Sequence, residues 1–311
     1  MHTLTNEDTL SIIVPAHDEA RVIGRLLGQL MSSADEGELD ILVVVNGCTD
    51  DTAGIAASFG PPVRVVSISA ASKREALAAG DKAAGHFPHL YVDADVELGS
   101  EDARELGRVL RRPGVLCAGP ERVHDMAGCR WPVRWYYDVW ERLPEVRRGL
   151  FGRGVVGVSE AGYTRLAALP QMLADDLAAS LEFSPGEQMI VPSARVVVHP
   201  PRTFADLLRI RTRAAMGTNQ LESIQGAPDS TARTRSTDLL AIVRRDVRLT
   251  PRVGLFLTVA LLARMRARRA AAVPGHSGWL RDESSRSARA PIRRRPSQGE
   301  QGRQQREHDN G

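Results

Sequence analysis

Residues 10–31 read LSIIVPAHDEARVIGRLLGQLM. The run Leu10–Ala16 is apolar and β-branched up to Pro15. It is short enough for a strand and too continuous to leave one face in water. From Ala20 the spacing becomes helical, with Val22, Ile23, Leu26, Leu27, Leu30 and Met31 on one side. Between the two lies His17-Asp18-Glu19. The same alternation recurs downstream. Strands are expected at 39–45, 63–68 and 90–96 (LYVDADV), and helices at 49–59 and 73–84. In the first of these helices Thr49 is the expected N-cap, with Asp50 and Asp51 in the first turn. Apolar strands joined by helices imply an α/β fold, a mainly parallel sheet with helices on both faces. Ligands of such sheets gather beyond the carboxyl ends of the strands. That rule brings His17–Glu19, Asn46–Asp51, Asp93 and Asp95 to one rim.

Beyond residue 100 the alternation weakens. Helices are expected at 100–111, 174–183 and 203–221, and short strands at 115–119 and 194–198. Residues 151–159 (FGRGVVGVS) read as a strand or loop punctuated by glycine. Residues 131–143 hold three of the four tryptophans; such rings suit a sugar or lipid acceptor, but most buried rings are core. Residues 223–237 are polar and read as a linker. Helical patterns follow at 239–249 and 252–272, split by Pro251. Four regions are therefore expected: a domain over 1–222, the linker, basic amphipathic helices over 238–273, and a disordered Arg-rich tail over 274–311.

The net charge of +3 makes no demand for a nucleic acid partner, and none is expected. The three cysteines, Cys48, Cys117 and Cys129, are scattered and suit reduced thiols of the cytosol. No secretory leader is read in Met1–Leu10. The longest apolar run, Val253–Ala263, is about eleven residues, against roughly twenty for a membrane span. Arginines flank that run on both sides. A helix lying on an anionic membrane surface and a helix docked on the domain both fit this pattern.

The sharpest chemical signal is Asp93-Ala94-Asp95. Two carboxylates at i and i+2 in an apolar strand share a side and repel unless a cation or water intervenes. Hard divalent cations take such oxygens together with substrate phosphates. Lys73 and the Arg209, Arg211, Arg213 cluster can neutralise a diphosphate; on a helix Arg209 and Arg213 share a face and Arg211 points elsewhere. Asp175 and Asp176 fit either an acid–base role or a helix N-terminus.

Taken together, Val14-Pro15-Ala16-His17-Asp18-Glu19, Asn46-Gly47-Cys48-Thr49-Asp50-Asp51-Thr52, Lys73 with Ala76-Leu77, the D-x-D and Asp175-Asp176-Leu177 stand in a familiar order. Over about residues 10–221 the chain resembles a family 2 glycosyltransferase of the GT-A fold, a Rossmann-like nucleotide-diphospho-sugar transferase architecture, here with added C-terminal helices. The resemblance implies Mg²⁺ or Mn²⁺ held by Asp95, with His199 where such folds often place a metal-binding His; a structural His fits that strand end equally well. It implies a donor site from Pro15, Ala16, Asp18, Glu19, Asn46, Lys73, Asp93, Arg209 and Arg213, and Asp176 as general base of an inverting transfer. Many relatives carry acids at the position of Asn46, so the donor base stays open. The implied partners are a nucleotide-diphospho-sugar and a sugar, lipid-linked or small-molecule acceptor. The implied location is the cytoplasm or the inner membrane face. The rivals are a sugar-1-phosphate nucleotidyltransferase, which would need a Gly-rich basic loop in place of 16–20, and a non-catalytic nucleotide-sugar binder.

Overall fold

The computed structural model describes residues 9–168, 183–184, 186–225 and 235–271. The expected helix at 174–183, with Asp175 and Asp176, and the tail at 274–311 lie outside the described residues, as does most of the expected linker.

Seven strands form one sheet in the order β3-β2-β1-β4-β6-β5-β7. They are β1 Leu10–Ala16, β2 Leu39–Asn46, β3 Val63–Ile68, β4 His89–Val92, β5 Cys117–His124, β6 Val155–Val158 and β7 Gln188–Val198. β1 lies between β2 and β4, parallel to both. β6 alone runs against its neighbours, so the sheet is mixed but mainly parallel, as expected. β7 pairs parallel with β5, and a register shift between Pro120 and Glu121 bends that pair.

Both sheet faces are covered, and alternate side chains show how. Ile12, Val14, Ile41 and Val43 enter one core with Leu26, Leu27 and Leu30 of α1 (Ile23–Met31) and Leu106 of α4 (Ser100–Leu110). Ile13, Leu42 and Val44 enter a second with Ala76 and Leu77 of α3 (Lys73–Ala83). Gly80 lets α3 lie that close, since a Cβ there would sit 2.4 Å from Ile13 Cγ2. α2 is shorter than expected, Thr52–Ala57 with Asp51 as N-cap. The displaced Thr49 and Asp50 are used by the rim loops.

A third core explains the C-terminal half. α5 (Trp131–Trp140) and α6 (Pro144–Arg148) present Val133, Tyr136, Tyr137, Val139, Trp140 and Val146. α7 spans Glu160–Ala167, and α8 runs Phe204–Gln225, past the expected end at 221. α9 (Ser236–Arg245), a 3₁₀ turn at Val247–Leu249 and α10 (Thr250–Ala271) bring Leu239, Ile242, Leu249, Val253, Phe256 and Val259 into the core of α5. The C-terminal helices thus pack on the domain through α5. Tyr136 stacks on Phe256 with ring centroids 4.9 Å apart. The outer side of α10 leaves Leu257, Leu261 and Met265 50%, 60% and 43% exposed. No described helix is long and apolar enough to cross a membrane.

Candidate active site

The loops after β1 and β2 clasp each other through reciprocal carboxylates. Asp18, in the left-handed region at φ 49°, accepts from Thr49 N at 2.6 Å, from Thr49 Oγ1 at 3.2 Å and from Asp50 N at 3.4 Å. The Thr49 amide is the main cause holding the Asp18 carboxyl below the usual range. In return Asp50 accepts from Ala20 N at 3.1 Å and from Thr52 N at 3.1 Å, and Glu19 N donates to Thr52 Oγ1 at 2.8 Å. His17 donates from Nδ1 to Asn46 O at 2.6 Å. His17, Asp18 and Cys48 offer ligand-type atoms within 4.8 Å of one another. The clasp accounts for their proximity: Asp18 N donates to Cys48 Sγ, which donates to Ala16 O.

Pro15 and Ala16 close β1 beneath this clasp. Asn46 closes β2 at 1% exposure, and neither its Oδ1 nor its Nδ2 has a partner among the described residues. A buried amide left unpaired costs about 1–3 kcal/mol per group. Asn46 therefore marks a place where a polar group is due.

β4 ends at Val92, earlier than expected, and Asp93–Val96 forms a turn in which Val96 N bonds Asp93 O at 3.4 Å. The expectation that both carboxylates share one side of a strand is corrected, because they leave a turn. The turn sits at the rim and is braced from three directions. Asp93 Oδ1 pairs with Lys73 Nζ at 2.6 Å, from the first turn of α3. Arg25 Nη2 of α1 donates to Asp95 O at 3.0 Å. Asp93 N donates to Gly154 O at 2.8 Å. Gly154 has φ +68°, and a Cβ there would lie 2.5 Å from Val96 Cγ1 and 3.5 Å from Asp93 Oδ2. Gly154→Ala should thus cost about 2–4 kcal/mol, backbone strain plus overpacking. Urea unfolding measures this, and a loss under 1 kcal/mol would show that the turn gives way.

His199, just past β7, is held by both nitrogens. Nε2 lies 2.7 Å from Glu97 Oε1, and Nδ1 lies 3.6 Å from Asp125 Oδ2. The bridge between Glu97 and Val197 sets this contact. Glu97 also accepts from Gln29 Nε2 at 2.9 Å and faces Arg25 Nε at 3.5 Å. The His199 bond, aided by Gln29 and Arg25, outweighs burial and holds the Glu97 carboxyl down at about 2. A carboxyl depressed on folding adds stability that is complete above its unfolded value near 4.5 and fades as pH falls towards 2. Glu97→Gln should therefore lower stability at pH 6, with a gap that narrows as pH falls below 4.5 and closes only near pH 2, read from urea midpoints. A gap of constant size would refute the coupling.

As a fit for a divalent cation, the half-buried turn offers hard carboxylate oxygens from Asp95 and Asp93, with one Asp93 oxygen already on Lys73. His199 fits less well, since ligation would break its Glu97 bond. Arg209 is tied to Asp206 of its own helix at 2.8 Å, and Arg213 is exposed on α8. Arg211 does differ from them, but it faces rings: its guanidinium lies 5.1 Å from the Trp140 centroid and 5.2 Å from that of Tyr136. Local pattern holds no signal for Arg25 and Glu97, whose roles rest on contacts between elements far apart in the chain.

Residues 11–162 match the profile of Glycosyl transferase family 2. A 104-residue stretch is 35% identical to the 4,4'-diaponeurosporenoate glycosyltransferase of Staphylococcus aureus. It covers 32% of this chain and 27% of that protein, so the match spans about a quarter of the relative's length. Among solved structures, the mannosyltransferase of Pyrobaculum calidifontis, in complex with GDP-Man and Mn²⁺, superposes with TM-score 0.55 at 18% identity. That overlap covers 85% of this chain and 75% of that one. Glucosyl-3-phosphoglycerate synthase of Mycobacterium tuberculosis, with Mn²⁺, UDP and glucosyl-3-phosphoglycerate, gives 0.50 at 21% identity, over 71% and 81%. At these identities the likeness is one of fold, the GT-A architecture.

Proposed function

From the match of residues 11–162 to glycosyl transferase family 2, we propose that this chain belongs to that family and transfers a sugar from a nucleotide diphosphate donor to an acceptor hydroxyl with inversion. The observation that carries the reading is the braced Asp93–Asp95 turn after β4, on the same carboxyl rim as Asn46 at the end of β2, whose buried amide has no partner among the described residues. Asp95 and Asp93 would hold Mg²⁺ or Mn²⁺, and such a cation, when bound, neutralises charge on the leaving diphosphate. The neighbours' printed Mn²⁺ and nucleotide complexes support that choice. Lys73 positions Asp93 and adds positive charge beside the phosphates. Asn46, with one acceptor and two donors, suits the edge of the donor base. Asp18 and Glu19 shape this pocket by holding its loops, and Pro15 and Ala16 form its floor. Arg209 and Arg213 are secondary candidates for the phosphates. Asp176 is the proposed base, taking the acceptor proton as its oxygen attacks the anomeric carbon.

We also propose peripheral contact with an anionic membrane through α10. Leu257, Leu261 and Met265 follow one another at every fourth residue. Each is worth about 1.5–3 kcal/mol if fully buried, and Arg264, Arg268 and Arg269 lie on the same helix. A cytoplasmic location fits this reading.

The test is a panel of nucleotide sugars scored by thermal stabilisation with and without Mn²⁺, followed by turnover of the best binder. A specific, Mn²⁺-dependent rise is expected, since a ligand of the native state stabilises it by mass action. No response to any nucleotide or nucleotide sugar would sink the reading.

A further inference from the structure

Three arginines crowd the far side of the Gly152–Gly154 loop. The Arg122 guanidinium lies 4.4 Å from the Trp140 centroid and donates to Phe151 O and Gly152 O at 3.3 and 3.2 Å. Arg211 lies 5.1 Å from the same ring and donates to Tyr137 Oη at 3.4 Å. Its Nε is buried with no partner among the described residues. Arg153, 3% exposed, donates to the carbonyls of Pro120, Gly149 and Arg147. Among the described residues, none of the three has a carboxylate within ion-pair distance. Glu141, the acid beside them, is bonded to His124. Burial, then the like charge of Arg153, brings the Arg122 guanidinium down to about 9, and burial brings that of Arg153 to about 10.

Desolvated cations normally carry a paired anion, because an uncompensated one costs several kcal/mol. Here no such pair is present among the described residues. The loop joins both sites: Gly152 O binds Arg122, and Gly154 O binds Asp93. Arginine forks match planar or tetrahedral oxyanions, and the ring faces hold the two forks in place.

We infer that Arg122 and Arg211, set on Trp140 and backed by Arg153, form an anion subsite that takes a phosphate group carried by the acceptor. This rests on the transfer reading for the word acceptor, but the anion site itself does not. The same chemistry could come from the donor diphosphate, and the test separates the two.

The probe is inorganic phosphate, titrated calorimetrically at low salt into the full chain without metal, alongside a nucleoside diphosphate titrated with Mn²⁺. Saturable phosphate binding to the parent is expected. It should weaken at least tenfold in Arg122→Met and in Arg211→Met, the scale of a charge-assisted bond. Nucleoside diphosphate binding should stay within twofold. The melting temperature should hold or rise in both variants, because an unpaired cation has been removed; arginines serving only as scaffold would predict a fall. Arg122→Lys, which keeps the charge without the fork, should bind phosphate with intermediate affinity and covers the case of a Met variant that does not fold. Unchanged phosphate affinity in the variants, or none in the parent, overturns the subsite. Loss of phosphate and nucleoside diphosphate together assigns the arginines to the donor and overturns the acceptor assignment. A parent that binds phosphate but no nucleotide would sink the transfer reading while leaving the anion site standing.

Discussion

Asp95→Asn should lower the rate of sugar transfer about a thousandfold while leaving the protein folded. The proposed role needs a negative oxygen on a hard cation, and the amide replaces that charge at nearly constant shape. Charge stabilisation by a bound cation is worth several kcal/mol in a transition state, and about 4 kcal/mol corresponds to that rate loss. Stability should change by no more than about 0.5 kcal/mol, because Asp95 is only part-buried and Arg25 grips its carbonyl, which the substitution keeps. The dependence of nucleotide binding on Mn²⁺ should vanish with it. Transfer within tenfold of the parent, measured on protein with an unaltered urea midpoint, would remove Asp95 from the cation site. Asp93→Asn is a different experiment: it also strips Lys73 of its partner, so it should disturb the turn as well as the chemistry.

Asp176→Asn should cost between about a hundredfold and ten thousandfold in kcat, the range of a positioned general base. The substitution removes the proton-accepting lone pair and keeps a hydrogen-bonding group of the same size. Donor binding should survive, so thermal stabilisation by nucleotide and Mn²⁺ should match the parent's. The acid limb of the pH–rate profile should disappear, since it reports the base giving up its charge. Asp175→Asn serves as the control, because only one of two adjacent carboxylates can face the acceptor hydroxyl. A full loss in Asp175→Asn with near-normal Asp176→Asn would move the role by one residue, and a mild effect in both would remove it from this segment.

The sequence by itself determined the layered sheet and where its chemistry gathers. β1 and β3 begin and end where periodicity places them: β1 is an apolar run buried on both faces, and β3 is a β-branched run whose exposed Arg64 and Ser67 suit the sheet edge. The carboxyl-rim rule assigned His17–Glu19, Asn46–Asp51, Asp93 and Asp95 to one rim, whereas the pairing of Lys73 with Asp93 came only from the tertiary structure. Where the reading drifted, side-chain bonds between elements had taken over. Thr49 and Asp50 look like the start of a helix, yet their polar groups complete the Asp18 clasp, so α2 begins at Thr52. The D-x-D reads as strand, yet after the Asp93 amide bonds Gly154 O the chain turns, and Val96 N closes back on Asp93 O.

Tertiary structure alone decided the rest. The direction of β6, the docking of α9 and α10 on the rings of α5, the enclosure of His199 by Glu97 and Asp125, and the gathering of Arg122, Arg153 and Arg211 around one loop depend on partners tens of residues apart or more. Local pattern registers which face of an element is apolar. It carries no record of which distant charge or ring will meet that face, because that pairing is fixed by global packing and not by the spacing of neighbours along the chain.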